Sequence, residues 1–234
     1  MKFRVIKEKF YRRILGKKLK NFDSFGSHIP ILIGLGIMTR PKSVLELGAG
    51  LSSTPVFLNK VCYPGLERFE SIENDLKWFD KLKSDSGFKG NSNILYYPGR
   101  IADYVKEIGN ASYDVILIDD SYETHDRVET IRSIFQSAVS NSAIVLIHDF
   151  ETRDYQEAVK EWPNCYSFIS FLPNVGVVWK DKKVMNLDVL TSIYKTIERY
   201  KWDFSIYDLN KWVEVFERKK SSKSTIKQVH RAKK

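Results

Sequence analysis

Apolar residues along the chain cluster into short blocks with two different spacings. Between the strand-like blocks, apolar positions recur every three or four residues, which predicts helices over 54–61, 74–85 and 123–138. Strands that alternate with helices imply right-handed crossovers and a mainly parallel α/β sheet. The predicted strands, rich in β-branched residues, are SVLEL (43–47), RFESI (68–72), NILYYPG (93–99), YDVILID (113–119) and AIVLIHDF (143–150).

The end of this α/β pattern differs from its beginning. The segment CYSFISFLPNVGVVWK (165–180) holds two apolar runs joined by a Pro-Asn turn, with too few residues between them for a helix. Two consecutive strands with a short loop must be antiparallel. The sheet is therefore predicted to finish in a hairpin.

These patterns divide the chain into four parts. A basic amphipathic helix is predicted over 1–24, an α/β domain over 25–181 and an aromatic helical appendage over 182–216. The basic tail over 217–234 is expected to be disordered, because it has almost no apolar residues. The N-terminal helix is expected to pack on the domain, with a peripheral contact to an anionic membrane surface as the alternative.

The net charge of +9 lies at the two ends of the chain. Residues 1–20 hold nine Lys or Arg and one Glu, and residues 217–234 hold eight Lys or Arg and one Glu. Of the 38 basic and 29 acidic residues, 21 basic and 27 acidic ones therefore remain in the centre. An enzyme that acts on duplex nucleic acid is expected to line its working face with Lys and Arg, so the acidic centre argues against that partner.

Cysteine content and apolar run length indicate a cytoplasmic protein. Cys62 and Cys165 are too few for a disulfide framework and have no C-x-x-C spacing. The longest apolar run, 29–38, is shorter than the ~20 residues of a membrane span. The long basic leader also lacks the small-residue cleavage site of a signal peptide. Peripheral attachment at the inner membrane face is the alternative.

The turn after the first strand carries the strongest functional signal. Glu46 is followed by Gly48-Ala49-Gly50, whose small side chains let a ligand come close to the backbone. In an open α/β sheet, ligands bind beyond the carboxyl ends of the strands, where the strand order reverses. The third glycine of a dinucleotide-binding turn is replaced by Ser53, which disfavours a nicotinamide-dependent oxidoreductase.

The segment VLELGAGLSST (44–54) resembles the first motif of class I S-adenosylmethionine-dependent methyltransferases, E/D-x-G-x-G. The resemblance implies a Rossmann-like, doubly wound seven-stranded sheet, mainly parallel with one antiparallel strand from a C-terminal hairpin. It also implies cofactor-binding roles. Glu46 would position the amino-acid end of S-adenosylmethionine, Gly48, Ala49 and Gly50 would pass beneath it, and Ser52 and Ser53 would be hydrogen-bonding neighbours, with Ser52 replacing the family's frequent third glycine.

Two later segments complete the expected cofactor site. Glu73 ends the second strand, 23 residues after Gly50, where a carboxylate can accept hydrogen bonds from both ribose hydroxyls. A helix N-cap is its alternative role, and for Glu46 the alternative is a structural pair with a lysine. Arg100 and Ile101, after the third strand, are expected to line the adenine pocket.

Acidic residues also follow the fourth and fifth strands. Asp119 and Asp149 are expected to face one cavity, because both strands end at the same edge of the sheet. Methyl transfer from a sulfonium is a direct displacement, in which the enzyme aligns the acceptor and, for a hydroxyl, helps to remove its proton. Asp119, His148 and Asp149 are therefore the predicted catalytic residues.

The two aspartates resemble the metal ligands of small-molecule O-methyltransferases that act on sugars and catechols. The resemblance implies a divalent cation, Mg²⁺, on Asp119 and Asp149, which would lower the pKa of an acceptor hydroxyl. Tyr122 departs from this pattern, because sugar-acting relatives often carry a histidine there. Without a metal, His148 or His125 is the candidate base.

The remaining polar residues of this region have competing interpretations. Asp120 is expected to cap the following helix, with Glu123 completing a capping box. Arg127, Arg153 and Tyr155 can clamp an anionic acceptor, and surface ion pairs explain them equally well.

The sequence therefore predicts an S-adenosylmethionine-dependent methyltransferase that acts on a hydroxyl of a small molecule or sugar-type acceptor. One alternative is an RNA methyltransferase recruited by the basic ends, although DDSY after the fourth strand lacks the proline of base-methylating enzymes. A second alternative is a non-catalytic protein that binds membranes or nucleic acid through its basic ends.

Overall fold

The computed structural model describes residues 25–85 and 87–232, with side chains as far as residue 221. Within that part of the chain, seven strands form one sheet in the order β3-β2-β1-β4-β5-β7-β6. Neighbours among β1 to β5 are parallel, and β7 is antiparallel to both β5 and β6. This confirms the predicted sheet. The strands are β1 (Ser43–Leu47), β2 (Arg68–Glu73), β3 (Ile94–Tyr96), β4 (Val115–Ile118), β5 (Ile144–Ile147), β6 (Asn164–Phe168) and β7 (Val175–Trp179).

Helices connect the strands and continue after the hairpin. A 3₁₀ turn, Ala138–Ser140, precedes β5. The predicted helix over 54–61 ends earlier, because Asn59 is extended and its N–H closes the last turn on Pro55 and Val56. The helices are α1 (Ile29–Thr39), α2 (Thr54–Leu58), α3 (Leu76–Ser84), α4 (Ile101–Glu107), α5 (Thr124–Gln136), α6 (Arg153–Ala158), α7 (Leu187–Tyr200) and α8 (Leu209–Ala232).

Side chains that alternate along the strands feed two separate hydrophobic clusters. On one face Val44, Leu117 and Val177 pack with residues of α1, α7 and α8. On the other face Leu45 and Ile118 pack with residues of α4, α5 and α6. Both faces of the central strands are thus covered, as expected for a parallel sheet, and polar chemistry is left to the strand ends.

Helix α1 is buried around most of its circumference. It begins with Pro30 in its first turn, where no backbone donor is lost. It ends at Arg40, whose left-handed conformation lets its N–H bond the Gly36 carbonyl. Helix α8 packs along α1, and Lys220 Nζ donates to the Ile37 carbonyl at 2.6 Å. The C-terminal helices therefore close the core rather than stand apart from it.

Two predictions at the chain ends have different outcomes. The prediction of a disordered tail is wrong for residues 217–232, which continue α8. Lys, Arg and Gln are good helix formers, and a helix that is already nucleated adds residues at little cost. The predicted helix over 1–24 lies outside the described residues. In the described part of the chain, no helix has both the length and the apolar character of a membrane span.

The predicted capping box before α5 is also wrong. Glu123 occupies the N-cap position but makes no side-chain capping bond. Asp120 points inward instead, and its Oδ2 accepts from Thr130 Oγ1 at 2.6 Å. The carboxylate is drawn under α5 by this hydroxyl and by the charge of Arg127.

Candidate active site

The carboxyl ends of β1, β4 and β5 are tied to one another by backbone hydrogen bonds. Asp119 N donates to the Leu47 carbonyl at 2.8 Å, and His148 N donates to the Ile118 carbonyl at 3.1 Å. The first residue after each strand is thereby fixed against its neighbour. Gly48, Asp119 and His148 consequently meet at the edge where the strand order reverses.

Gly48 makes the closest approach in this region. Its φ is +91°, and a Cβ there would lie 2.2 Å from the Asp119 carbonyl oxygen. Any side chain would collide with backbone, so the turn requires glycine. Two contacts hold the rest of the turn: Trp78 Nε1 donates to the Ala49 carbonyl at 2.7 Å, and Gly50 N donates to Thr54 Oγ1 at 3.0 Å.

Glu46 lies beneath this turn and is fully buried. Its Oε2 accepts from Thr54 Oγ1 at 2.7 Å and from Ser71 Oγ at 2.5 Å. The other oxygen, Oε1, has no hydrogen-bond partner among the described residues, although the Ser53 hydroxyl lies close to the carboxyl group. Burial raises the pKa of Glu46 to about 7, although the hydroxyl contacts act to lower it. The carboxylate is held by hydroxyl groups, and no lysine of the described part of the chain pairs with it.

Glu73, at the end of β2, is also buried. Its Oε1 accepts from Asp75 N at 2.7 Å. Asp75 itself is the N-cap of α3, so the alternative capping role of Glu73 is not found. Burial raises the pKa of Glu73 to about 7, opposed by backbone N–H groups that include that of Ala49. Glu46 and Glu73 thus lie on either side of the Gly48–Gly50 turn.

The other predicted cofactor residues are more scattered. Arg100 precedes α4, and its exposed guanidinium pairs with Asp103 at 3.0 Å and Glu129 at 2.6 Å. Ile101 is buried in the core. Ser53 is buried at the start of α2, and Ser52 is half-buried beside it. A role for Arg100 and Ile101 in an adenine pocket stays a prediction.

On the acceptor side, His148 is the centre of a hydrogen-bonded chain. Its Nδ1 lies 3.3 Å from Asp119 Oδ1, and its Nε2 lies 3.1 Å from Ser27 Oγ. We assign the tautomer in which Nδ1–H faces the carboxylate, because Asp119 is an acceptor only. Burial by itself would lower the pKa of His148, but the Asp119 charge outweighs it and the pKa is raised. Burial would likewise raise the pKa of Asp119, yet His148 and Arg127 hold it well below its usual range.

A second histidine, His28, joins this site without any signal in the sequence. Its ring is perpendicular to that of His148, with centroids 4.7 Å apart. The side chain is buried, and neither ring nitrogen has a hydrogen-bond partner among the described residues. Burial, together with the charge of His148, lowers the pKa of His28 to about 3. Ligand atoms of His28, Asp119 and His148 all lie within 4.8 Å of one another, close enough to hold a metal ion.

Arg127 is the second unexpected member, since surface ion pairs were one prediction for it. It is only 4% exposed and reaches back from α5 to the strand ends. Its terminal nitrogens lie 2.9 Å from Asp119 Oδ1 and 3.1 Å from Asp149 Oδ2. One of them also donates to the Ser121 carbonyl at 2.6 Å.

The predicted metal ligands, Asp119 and Asp149, therefore already share the guanidinium of Arg127 as their cation. A divalent ion bridging Asp119 Oδ1 and Asp149 Oδ2 would lie against the guanidinium that binds those two oxygens. The Asp119–Asp149 pair does not fit a bridging metal in this arrangement. Asp149 has a φ of +57°, a rare conformation for a residue with a side chain, and it aims its carboxylate at Arg127.

His125, the other candidate base, is placed differently. Its side chain is 80% exposed on α5 and lies 3.3 Å from Glu129. His148 is buried against an ionised carboxylate, which is the arrangement that orients a general base. The site therefore offers one carboxylate–imidazole pair beside a glycine turn.

Comparison with known proteins identifies the architecture. No protein-family model and no curated protein matches the sequence. Human methyltransferase-like protein 13, solved in complex with SAH, has a TM-score of 0.54 and 18% identity, over 74% of this chain and 90% of that chain. This chain has a Rossmann-like methyltransferase fold. This fold agrees with the sheet order and with the glycine turn at the end of β1.

Two further solved structures are similar to this chain with lower TM-scores. An O-methyltransferase family protein from Burkholderia thailandensis has a TM-score of 0.48 and 12% identity, over 65% of this chain and 55% of that chain. Spermidine synthase from Thermotoga maritima has a TM-score of 0.46 and 14% identity, over 81% and 70%.

Proposed function

We propose that this protein is an S-adenosylmethionine-dependent methyltransferase that methylates a hydroxyl group of a small, sugar-type acceptor. The observation that carries the proposal is the position of His148. It is oriented by Asp119 and lies at the strand-end edge that also holds the Gly48 turn. A candidate cofactor turn and a candidate base therefore lie at the same edge of the sheet.

The residues around the turn fit the cofactor. Gly48 lets the turn lie directly against the Asp119 backbone, and Glu46 retains a buried oxygen without a hydrogen-bond partner among the described residues. These residues, with Ala49, Gly50 and Glu73, would hold the cofactor. When bound, S-adenosylmethionine supplies a methyl group on a sulfonium that is already a good leaving group.

On the acceptor side, His148 takes the proton. As the methyl group is transferred, the acceptor hydroxyl would have to lose its proton, and the residues of this chain would align the acceptor and take that proton. The hydroxyl proton passes to His148 Nε2, the nitrogen that faces Ser27 Oγ. The resulting imidazolium is stabilised by Asp119 through Nδ1–H. The positive charge that forms on His148 is therefore compensated by the negative charge of Asp119.

The polar lining supports a hydroxyl-bearing acceptor. The side chains of Asp119 and Asp149 are 25% and 27% exposed, so both can be reached from solvent. Carboxylates accept hydrogen bonds from vicinal hydroxyls, which sugars supply in series. Tyr122 is almost fully exposed and offers no buried stacking platform for a flipped base.

Cofactor binding can be tested by calorimetry with S-adenosylmethionine. The wild type is expected to bind, and Gly48→Val is expected to lose binding because its side chain would collide with the Asp119 backbone and displace the turn. Gly90→Val is the matched control, since Gly90 also has a positive φ but has open space around it. Equal binding by both variants would show that the cofactor does not use this turn.

The role of His148 can be tested by radiolabelled methyl transfer across a panel of sugars, phenols and RNA. His148→Ala is expected to lower turnover about 10²- to 10⁴-fold, the usual contribution of a general base, while S-adenosylmethionine affinity is unchanged. His125→Ala, an exposed histidine, serves as control. RNA methylation without any small-molecule product would overturn the acceptor assignment.

A further inference from the structure

The carboxylates of Asp119 and Asp149, on the acceptor side of the site, both contact one buried guanidinium. Arg127 binds Asp119 and Asp149 through its terminal nitrogens, and its Nε lies 3.8 Å from Asp120 Oδ1. It also donates to the carbonyls of Ser121 and His148. A cation with five such neighbours is part of the site rather than a surface charge.

We propose that Arg127 is a built-in cation that replaces a divalent metal between Asp119 and Asp149, so that acceptor activation is metal-independent. The inference deepens the proposed function, because it concerns the same carboxylates. It is tested by metal binding, which needs no methyl transfer, so the two ideas can fail separately.

The geometry favours a guanidinium over a metal for this task. A planar guanidinium presents fixed donors to several oxygens at once and keeps its charge at any physiological pH. Here it joins carboxylates that follow two adjacent strands, and it neutralises their mutual repulsion. A hard cation would need the same carboxylate oxygens as ligands. The two solutions therefore exclude each other at this position.

A rival cation site includes Asp119 as well. His28 and His148 offer imidazole nitrogens beside the same carboxylate. In the structure His148 Nδ1 is directed at Asp119 Oδ1, the oxygen that Arg127 also binds. If a transition metal occupied this cluster, the wild type would bind it and His28→Ala would not.

The experiment measures Mn²⁺ binding by the loss of its free electron paramagnetic resonance signal. The wild type is expected to leave the signal unchanged, and a chelator is expected to leave its melting temperature unchanged. Arg127→Ala removes the guanidinium from both carboxylates and is expected to bind one Mn²⁺ about 10- to 100-fold more tightly than the wild type. Its melting temperature should then rise with Mn²⁺.

Two controls make the result specific. Arg100→Ala removes an exposed arginine that also bridges two carboxylates, Asp103 and Glu129, and is expected to gain no comparable site. Arg127→Ala combined with Asp149→Asn keeps the vacated space but only one of the two ligands, so the gain should disappear.

Each outcome decides the proposal. A folded Arg127→Ala variant that binds Mn²⁺ no better than the wild type would overturn it. An Arg127→Ala chain that folds only when Mn²⁺ is added supports it. Saturable Mn²⁺ or Zn²⁺ binding by the wild type, lost in His28→Ala, would overturn it whether or not the Arg127 variants fold.

Discussion

At the scale of single residues, the site depends on how closely Gly48 approaches the backbone of Asp119. The left-handed φ of Gly48 and the 2.2 Å separation that a Cβ would have from the Asp119 carbonyl are independent penalties. Gly90 has the first penalty without the second, because nothing lies within 4 Å of its Cβ position. The two glycines therefore separate conformational strain from collision.

We expect Gly90→Ala to lower the free energy of unfolding by about 1 kcal/mol through strain alone. Gly48→Ala should cost about 1–3 kcal/mol more, the usual range for overpacking, because the β4 end must move. Urea unfolding of the two variants and the wild type measures both values. Equal losses would mean that the close approach does not constrain the fold.

The residue scale also shows where prediction from sequence ended. Glu46, Gly48, Asp119 and His148 were found because each lies within or directly after a buried apolar strand. His28 was missed because its partner lies 120 positions away in the sequence, and nothing in SHIPIL distinguishes a site residue from the start of a helix. Arg127 was recognised as a charge, but its burial depends on which face of α5 turns inward.

At the scale of elements, helix α1 is shaped by two glycines. A Cβ on Gly34 would lie 2.9 Å from Ile193 and Phe216 side-chain atoms, whereas one on Gly36 would lie 2.3 Å from the Cys62 carbonyl oxygen. The first obstacle is made of side chains that can move, and the second is backbone. The sequence shows the apolar run that forms this helix, but not these contacts.

Gly34→Ala is expected to be nearly neutral, because a gain of about 1 kcal/mol in helix propensity opposes a local repacking cost of similar size. Gly36→Ala should lower the free energy of unfolding by more than about 2 kcal/mol, since the Cys62 carbonyl cannot turn away. Chemical denaturation compares the two. If Gly34→Ala is the more damaging, the contact with α7 and α8 is the tighter one.

Strand limits were predicted no more closely than helix limits, since the segments predicted over 93–99 and 143–150 end three residues beyond β3 and β5. Strand β1 was predicted with its observed bounds, because a polar turn ends the apolar run abruptly. The ends of α2 and α5 differed from prediction, since caps are set by backbone geometry at Asn59 and by the inward turn of Asp120. Local pattern determines where a core element lies, and tertiary contacts determine where it stops.

At the scale of the whole molecule, the free energy of folding depends on pH through the buried histidines. His28 stays neutral in the folded chain, with a pKa of about 3, but in the unfolded chain it binds a proton near its ordinary pKa of ~6.5. The unfolded state then holds more protons at acidic pH, so this histidine contributes stability that is lost as pH falls below that value. His148, with its raised pKa, has the opposite sign.

Replacing His28 isolates its contribution. Between pH 6 and 5, the wild type should lose up to about 1.4 kcal/mol per pH unit more than His28→Gln, which has no proton to bind. Urea unfolding at several pH values measures the difference in slope. Parallel curves for the two proteins would mean that His28 is solvated or protonated in the folded chain.

The packing of α8 along α1, which includes the bond from Lys220, has a consequence for synthesis on the ribosome. The apolar helix α1 is synthesised before the helices that cover it, α7 and α8. Until α7 and α8 have been synthesised, the apolar surface of α1 is therefore uncovered in the nascent polypeptide. Chaperone capture of ribosome-bound chains should persist until the segment containing Trp212 and Phe216 has left the exit tunnel.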